Sequence, residues 1–266
     1  MAEIIEKAEQ ITRIPLAIEG FDENVQGGIP AGFVCLVAGT SGTMKSSVSF
    51  NVVYNAVVAG KKGLYMSLEQ SSTSLLTHLV AMGFDISKIN TIILSDVGKT
   101  DKAIEAIKGA QGGTLILTDV GAMRKQLQDL KNINPDADWI FCLKNIVKAL
   151  KAENAVDVFV LDSLSALYAL SQFKNPRTEL FHFFEFMRDL DVMSLLITEM
   201  VGEKIGEYGV EDYLSDGIFK LAMLRDGLKV RRELNVVKLR ATDANMNIFI
   251  LDYKNKKFRA LSKLPY

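Results

Sequence analysis

Eight consecutive residues, Gly39-Thr-Ser-Gly-Thr-Met-Lys-Ser46, form a candidate phosphate-binding loop. They are close to the pattern G-x-x-x-x-G-K-[ST], in which backbone N–H groups surround phosphate oxygens at the start of a helix. Lys45 would contact the β- and γ-phosphates of a nucleotide, and the hydroxyl of Ser46 would bind Mg²⁺. The predicted nucleotide-binding residues are Thr40, Ser41, Gly42, Thr43, Met44, Lys45, Ser46 and Ser47.

Position 44 departs from this pattern, because it carries methionine where glycine is expected. A glycine there lets the backbone approach the phosphates closely. If the loop binds nucleotide in spite of this change, the Met44 side chain must point out of the loop.

The segments around the loop have the order strand, loop, helix that such a site requires. Residues 33–38 are apolar and predict a buried strand, and residues 47–59 predict a helix that Gly60 ends. Further strands, separated by helical segments, are predicted at 64–68, 92–94, 114–118, 156–162 and 192–198.

The end of the chain has a different pattern. Asp226-Gly227 is a typical hairpin turn, and it lies between two strand-like segments, 218–224 and 228–240. A second hairpin is predicted over residues 247–261. The predicted fold class is therefore α/β, with a mainly parallel central sheet flanked by helices and extended by C-terminal antiparallel hairpins.

Polar residues follow several predicted strands, at the ends where open parallel sheets bind ligands. These residues are Glu69, Asp162 and the pair Thr198-Glu199. Asp162 would hold Mg²⁺ directly or through water, and Glu69 would activate the attacking water as a general base. Thr198 and Glu199 would sense the γ-phosphate and transmit its state to the polar segment 201–215.

Lys238 and Arg240 are two residues apart in a predicted strand, so their side chains share one face. From the strand pattern alone, a solvent-exposed edge face is the favoured interpretation of this pair.

The composition is that of an ordinary globular protein: 266 residues, 48% hydrophobic and 24% charged. A net charge of −1 gives no general attraction to nucleic acid or to an anionic membrane. The two cysteines are far apart, which fits a reducing, cytoplasmic location, and no membrane span is predicted. Residues 1–12 predict an N-terminal amphipathic helix, and residues 13–266 predict one domain.

The chain resembles a KaiC domain, in the RecA/RadA branch of the P-loop ATPases. The resemblance is carried by the glycine-rich segments 20–32 and 39–46, together with Thr198-Glu199, 208–216 and 231–240. It covers about residues 13–95 and 156–260. The chain departs from the family at two further places. Gln70 replaces a second acidic residue, and residues 241–247 replace a loop that begins with Gly-Thr.

The resemblance implies a RecA-like ATPase domain that binds ATP and Mg²⁺, often in a hexameric ring with ATP between the subunits. It implies that Lys238 and Arg240 reach the γ-phosphate bound by the neighbouring subunit, so both are predicted catalytic residues with Lys45 and Glu69. Met44 would then lie near a subunit boundary. The predicted function is a slow regulatory or signalling ATPase.

Two alternatives remain at this point. A RadA-like recombination accessory would bind single-stranded DNA through mobile basic and aromatic loops. The segment 201–215 has one lysine and four acidic residues, which disfavours DNA. A switch that binds nucleotide without hydrolysing it would use ATP only for assembly, with a loop narrowed by Met44.

Overall fold

The computed structural model describes residues 11–119, 122–124, 126, 139–171, 173–227 and 229–262. The predicted N-terminal helix therefore lies, except for its last two residues, outside the described residues.

The strands of the described chain fall into a two-stranded sheet and one large central sheet. The small sheet pairs β1 (Arg13–Ile14) with β2 (Ile29–Pro30). The strands of the large sheet are β3 (Val34–Gly39), β4 (Lys62–Ser67), β5 (Asn90–Leu94), β6 (Thr114–Thr118), β7 (Val158–Asp162), β8 (Met193–Val201), β9 (Lys204–Ile205), β10 (Gly217–Asp226), β11 (Lys229–Leu239), β12 (Phe249–Lys254) and β13 (Lys257–Ser262).

The strand order in the large sheet is β13-β12-β11-β10-β3-β8-β7-β4-β6-β5, with β9 paired to β8. From β10 to β5 along this order, neighbouring strands are parallel. Strands β11, β12 and β13 are antiparallel to their neighbours. The prediction of a mainly parallel α/β sheet, extended by C-terminal hairpins, is confirmed.

Helices cover both faces of the parallel strands, which accounts for the apolar character of those strands. They are α1 (Lys45–Val58), α2 (Ser72–Met82), α3 (Thr100–Gly109), α4 (Trp139–Ala152), α5 (Leu164–Leu170), α6 (Pro176–Asp189) and α7 (Glu211–Leu214). Helices α1 and α2 pack on one face of the sheet, and α3, α4, α5 and α6 pack on the other. We name the end of the sheet at Gly39 and Asp162 the carboxyl edge, and the opposite end the amino edge.

The segment 201–215 is more structured than its polar sequence predicts. Strand β8 continues to Val201, and the chain then turns back through Gly202 into β9, where Ile205 pairs with Met200. The short helix α7 follows at Glu211. Local backbone pairing and the buried carboxylate of Glu211 organise this segment. Neither feature produces a periodic pattern of hydrophobic residues in the sequence.

The second hairpin has a tighter turn than the sequence suggests. Strand β12 extends to Lys254 and β13 begins at Lys257, so Asn255 and Lys256 alone make the turn. Both adopt positive φ values, 52° and 62°, which is the conformation that two-residue hairpin turns require.

Among the helices in the described residues, none is long and apolar enough to cross a membrane.

Candidate functional site

The phosphate-binding loop lies between the end of β3 and the start of α1, at the carboxyl edge. The Thr43 hydroxyl donates to the carbonyl oxygen of Thr40 at 2.8 Å and closes the loop on itself. Lys45 Nζ donates to the carbonyl oxygens of Gly39 and Thr40 at 2.9 and 3.0 Å. Burial lowers the pKa of Lys45, while the nearby carboxylate of Glu199 opposes that shift.

Met44 adopts the left-handed conformation, with φ 73° and ψ 27°, immediately before α1. This backbone geometry explains why a glycine is expected at the position, because a side chain there is strained by about 1 kcal/mol. The methionine side chain is half-buried and packs against the hydrophobic cluster that α1 and α2 share with the sheet. The backbone at Met44 therefore keeps the left-handed conformation, while the Met44 side chain packs against the core.

Asp162 ends β7 and is buried beside the loop, with 4% of its surface exposed. Its carboxylate accepts a hydrogen bond from the Tyr65 hydroxyl at 2.6 Å, and the side chain of Ser46 lies beside it. Burial raises the pKa of Asp162, and both of these side chains act in the opposite direction. The carboxylate is thus fixed in place, and a nearby cation would favour its charged form.

Glu69 follows β4 and is held by a serine that follows β7. Ser163 Oγ donates to Glu69 Oε1 at 2.6 Å and accepts the backbone N–H of Ala166 at 3.1 Å, so it also caps α5. The second carboxylate oxygen of Glu69 is left to contact water or ligand. An exposed carboxylate positioned in this way can accept a proton from an attacking water.

Thr198 and Glu199 lie near the end of β8, where they pair with Ala38 and Gly39 of β3. The Thr198 hydroxyl is fully buried and has no hydrogen-bond partner among the described residues. Glu199 Oε1 lies 4.0 Å from Lys45 Nζ.

These groups surround one cavity of about 250 Å³ at the carboxyl edge. The predicted site residues that line it are Ser41, Gly42, Thr43, Met44, Lys45, Ser46, Ser47, Glu69, Asp162 and Glu199. Thr40 and Thr198 adjoin these residues without lining the cavity.

A larger cavity of about 750 Å³ lies beside α1, between Asn51 and the β12–β13 turn. Two of the polar side chains that line it are already paired: Asn51 donates to the carbonyl oxygens of Leu16 and Ala17, and Tyr54 donates to the carbonyl oxygen of Asp85. The smaller cavity has the reactive groups and is the candidate active site.

Lys238 and Arg240 do not join this cavity, because they lie at the amino edge of the sheet. Lys238 pairs with Ile218, and Ile218 pairs with Leu36, three residues before Gly39. Three residues correspond to about 10 Å along a strand, and two strand spacings add about 10 Å across the sheet. The pair is therefore remote from the phosphate-binding loop of its own chain.

Contacts with the segment before β10 hold this basic pair. Lys238 Nζ donates to the carbonyl oxygens of Asp212 at 3.0 Å and Ser215 at 2.6 Å. Arg240 Nη1 forms an ion pair with Asp216 Oδ1 at 2.8 Å. The shared face predicted for the two side chains agrees with these neighbouring contacts.

Sequence reasoning missed three polar residues of the site. Tyr65 and Ser163 orient the two carboxylates, His78 lines the cavity, and Ser163 directly follows the acidic strand end. Gln70, which the sequence showed only as a departure from the family, also lines the cavity. The position of Ser163 directly after Asp162 could have identified it from the sequence. Tyr65 lies inside a strand and His78 inside a helix, and nothing in the sequence distinguishes them from packing residues.

The residues at this edge fit a magnesium ion. Ser46 and Asp162 provide hard oxygen donors of the kind that Mg²⁺ prefers, and both line the same cavity. Sites of this type use few protein ligands, because phosphate and water supply the others.

Comparison with known proteins gives results consistent with this geometry. The family model described as "ATPase: KaiC" matches residues 14–260. The circadian clock oscillator protein KaiC of Thermostichus vulcanus is 26% identical over 241 residues, covering 89% of this chain and 42% of that protein. KaiC 1 of Synechocystis is 28% identical over 238 residues, covering 87% and 41%. The chain thus spans less than half the length of these relatives.

A solved structure, the KaiC-like protein PH0186 of Pyrococcus horikoshii OT3, has the same fold. It matches with a TM-score of 0.71 at 22% identity, covering 94% of this chain and 99% of that protein. The fold match to this structure is consistent with the family match over residues 14–260. This chain belongs to the KaiC ATPase family.

Proposed function

We propose that the chain binds ATP with Mg²⁺ at the carboxyl edge and hydrolyses it slowly, as a regulatory or signalling oligomer. The observation that carries this proposal is the convergence of Lys45, Asp162 and Glu69 on one cavity. Family membership supports the assignment of ATPase activity to residues 13–266 acting as one domain.

Each residue has a role that follows from its contacts. Lys45 exchanges its carbonyl partners for the β- and γ-phosphates, and the loop N–H groups bind the remaining phosphate oxygens. Ser46 and Asp162 would hold Mg²⁺, which would neutralise phosphate charge. Glu69, oriented by Ser163, accepts a proton from the water that attacks the γ-phosphorus while the bond to the leaving ADP oxygen breaks.

A neighbouring copy completes the site. The distance of Lys238 and Arg240 from their own loop supports a role at the γ-phosphate bound by the next subunit in a ring, which we propose to be hexameric. The ion pair of Arg240 with Asp216 and the carbonyl contacts of Lys238 compete with that role, which supports a slow reaction. DNA is not the proposed ligand, since the segment 201–215 is acidic.

Two measurements test this proposal. Size-exclusion chromatography with light scattering, with and without ATP and Mg²⁺, is expected to show nucleotide-dependent assembly. In single-turnover hydrolysis, Glu69→Gln is expected to be slower than wild type by about 10²–10⁴-fold. The matched control is Gln70→Glu, which adds a carboxylate next to the proposed base and leaves Glu69 in place.

Equal single-turnover rates for wild type and Glu69→Gln would show that Glu69 is not the base. An ATP-dependent assembly without measurable hydrolysis would instead favour the non-hydrolysing switch.

A further inference from the structure

Glu211 is a carboxylate with no exposed surface, at the first position of α7. Its Oε1 accepts the Tyr168 hydroxyl at 3.0 Å and the backbone N–H groups of Glu207 and Tyr208 at 3.0 and 3.1 Å. Its Oε2 accepts the N–H of Val210 at 2.9 Å. One side chain therefore determines the path of the whole turn before α7.

The turn is built closely around this carboxylate. Gly206 has φ 81°, and a Cβ atom there would lie 2.3 to 2.7 Å from the carboxyl group of Glu211. Burial and the Glu211 charge raise the pKa of Tyr168, so its hydroxyl remains protonated and able to donate. The turn, Glu211 and Tyr168 thus form one packed unit.

Helix α5 joins this unit to the nucleotide site. Its capping residue Ser163 donates to Glu69, and Ser165 Oγ in its first turn accepts the backbone N–H of Glu199 at 3.3 Å. Tyr168 lies one helical turn further along the same helix. A movement of the α5 start with Glu69 or Glu199 is therefore carried to Tyr168.

The other side of the unit leads to the basic pair. Helix α7 begins at Glu211, and the carbonyl oxygens of Asp212 and Ser215 bind Lys238 Nζ. Arg188 of α6 fixes the end of α7 by donating to the Leu214 carbonyl at 2.7 Å. The position of α7 thus decides where the Lys238 side chain is held.

We infer that Glu211 is a positioning residue that couples the nucleotide site of one subunit, through α5 and Tyr168, to its own Lys238 at the amino edge. The inference rests on the proposed function, in which Lys238 acts on the nucleotide of the next subunit. Through this link, the nucleotide state of one site changes the catalytic power supplied to the next site in the ring. Coupling of this kind needs a continuous set of packed contacts, and the one here runs within a single chain.

Hydrogen exchange tests the link without requiring hydrolysis. Wild type, Tyr168→Phe and the matched control Tyr208→Phe are compared with and without a non-hydrolysable ATP analogue and Mg²⁺. Tyr208 packs edge-to-face against Tyr168 with ring centroids 5.0 Å apart, but its hydroxyl is not one of the four Glu211 donors. The control therefore removes a hydroxyl from the same aromatic cluster and leaves the link intact.

In wild type and Tyr208→Phe, the analogue is expected to change exchange both at residues 39–47 and at the amides of 207, 208 and 210. In Tyr168→Phe, the change at 39–47 is expected to persist and the change at the turn to disappear. Basal protection of the turn is expected to fall about tenfold, because one hydrogen bond to a charged group is lost. Glu211→Gln, which keeps the side-chain size, is a second variant with the same expectation.

The outcomes separate the link from the proposed function. No change at 39–47 in any protein would overturn nucleotide binding and the link together. A change at 39–47 without one at the turn in wild type would overturn the link alone. An undiminished response of the turn in both Tyr168→Phe and Glu211→Gln would also overturn it, and would indicate that assembly protects the turn directly.

A kinetic double-mutant cycle adds a readout that a purely structural role would not move. Tyr168→Phe is expected to lower kcat several-fold with little change in KM, and to have no such effect when Lys238→Ala is already present. Equal effects in both backgrounds would show that Tyr168 does not act through Lys238.

Discussion

The carboxyl and amino edges of the sheet both have cationic side chains, but they hold them in different ways. At the carboxyl edge, Lys45 has acidic side chains beside it, and its amine donates hydrogen bonds to carbonyl oxygens of its own loop. At the amino edge, Lys238 and Arg240 are bound by carbonyl oxygens and a carboxylate of an adjacent segment.

This difference bears on how the proposed site is divided between two copies of the chain. The carboxyl edge brings together, within one chain, the groups that we propose bind phosphate, hold a cation and activate water. The amino edge has cations without a substrate, and they are remote from the loop of their own chain. Under the proposed function, a second copy brings the two edges together, and activity would then depend on assembly.

The carboxyl edge is tested most strongly by Lys45→Ala. We expect ATP affinity to fall by about 10³-fold, roughly 4 kcal/mol, because no other side chain lining the described cavity replaces the amine at the phosphates. Isothermal titration with ATP and Mg²⁺ measures the change, and Lys61→Ala, at an exposed lysine after α1, is the control. Affinity equal to wild type would show that the loop has been misassigned.

The amino edge is tested by Arg240→Ala, which is expected to lower kcat while ATP affinity stays nearly constant. The loss is expected to be about 10²-fold, less than for a lone arginine finger because Lys238 remains. Arg240→Lys, which keeps the charge, is expected to retain more activity.

Mixed assemblies test whether the two edges act together across a subunit interface. When Arg240→Ala and Lys45→Ala subunits are combined, some interfaces contain an intact loop from one and an intact Arg240 from the other, so hydrolysis is expected to recover in part. No recovery in assemblies shown to contain both subunits would mean that Arg240 does not act across an interface.

The two edges also differ in how much of them the sequence predicts. Strand ends and the loop pattern identify Lys45, Glu69 and Asp162, because local order along the chain fixes their place at one edge. The partners of the basic pair come from a segment whose path depends on the buried Glu211. Contacts of that kind join residues distant in sequence and leave no periodic signal, so the sequence predicts the shared face of the pair and not what holds it.

Asp162 offers a pH test of the carboxyl edge. Its folded pKa is raised by burial, so the folded state binds more protons than the unfolded state between the ordinary value of 3.8 and the raised value. Stability from this group is present at low pH and lost as pH rises through the folded pKa. Relative to Asp162→Asn, wild type without metal is therefore expected to gain stability as pH falls through that window.

Mg²⁺ reverses the preference, because it binds the charged carboxylate. Asp162→Asn is expected to lower Mg²⁺ affinity in the presence of nucleotide by about 10–100-fold. Urea unfolding in a chelator and magnesium titration measure the two effects. A stability difference independent of pH would show that Asp162 does not titrate in this window.

The smallest effect is expected at Met44, where the loop departs from its pattern. Met44→Gly removes the left-handed strain but also the packing of a half-buried side chain, whereas Met44→Ala loses the packing and keeps the strain. ATP affinity of Met44→Gly is expected to stay within about tenfold of wild type, roughly 1.4 kcal/mol. In urea unfolding, Met44→Gly is expected to be more stable than Met44→Ala by about 1 kcal/mol. Equal stability of the two variants would mean that the backbone at position 44 is not strained.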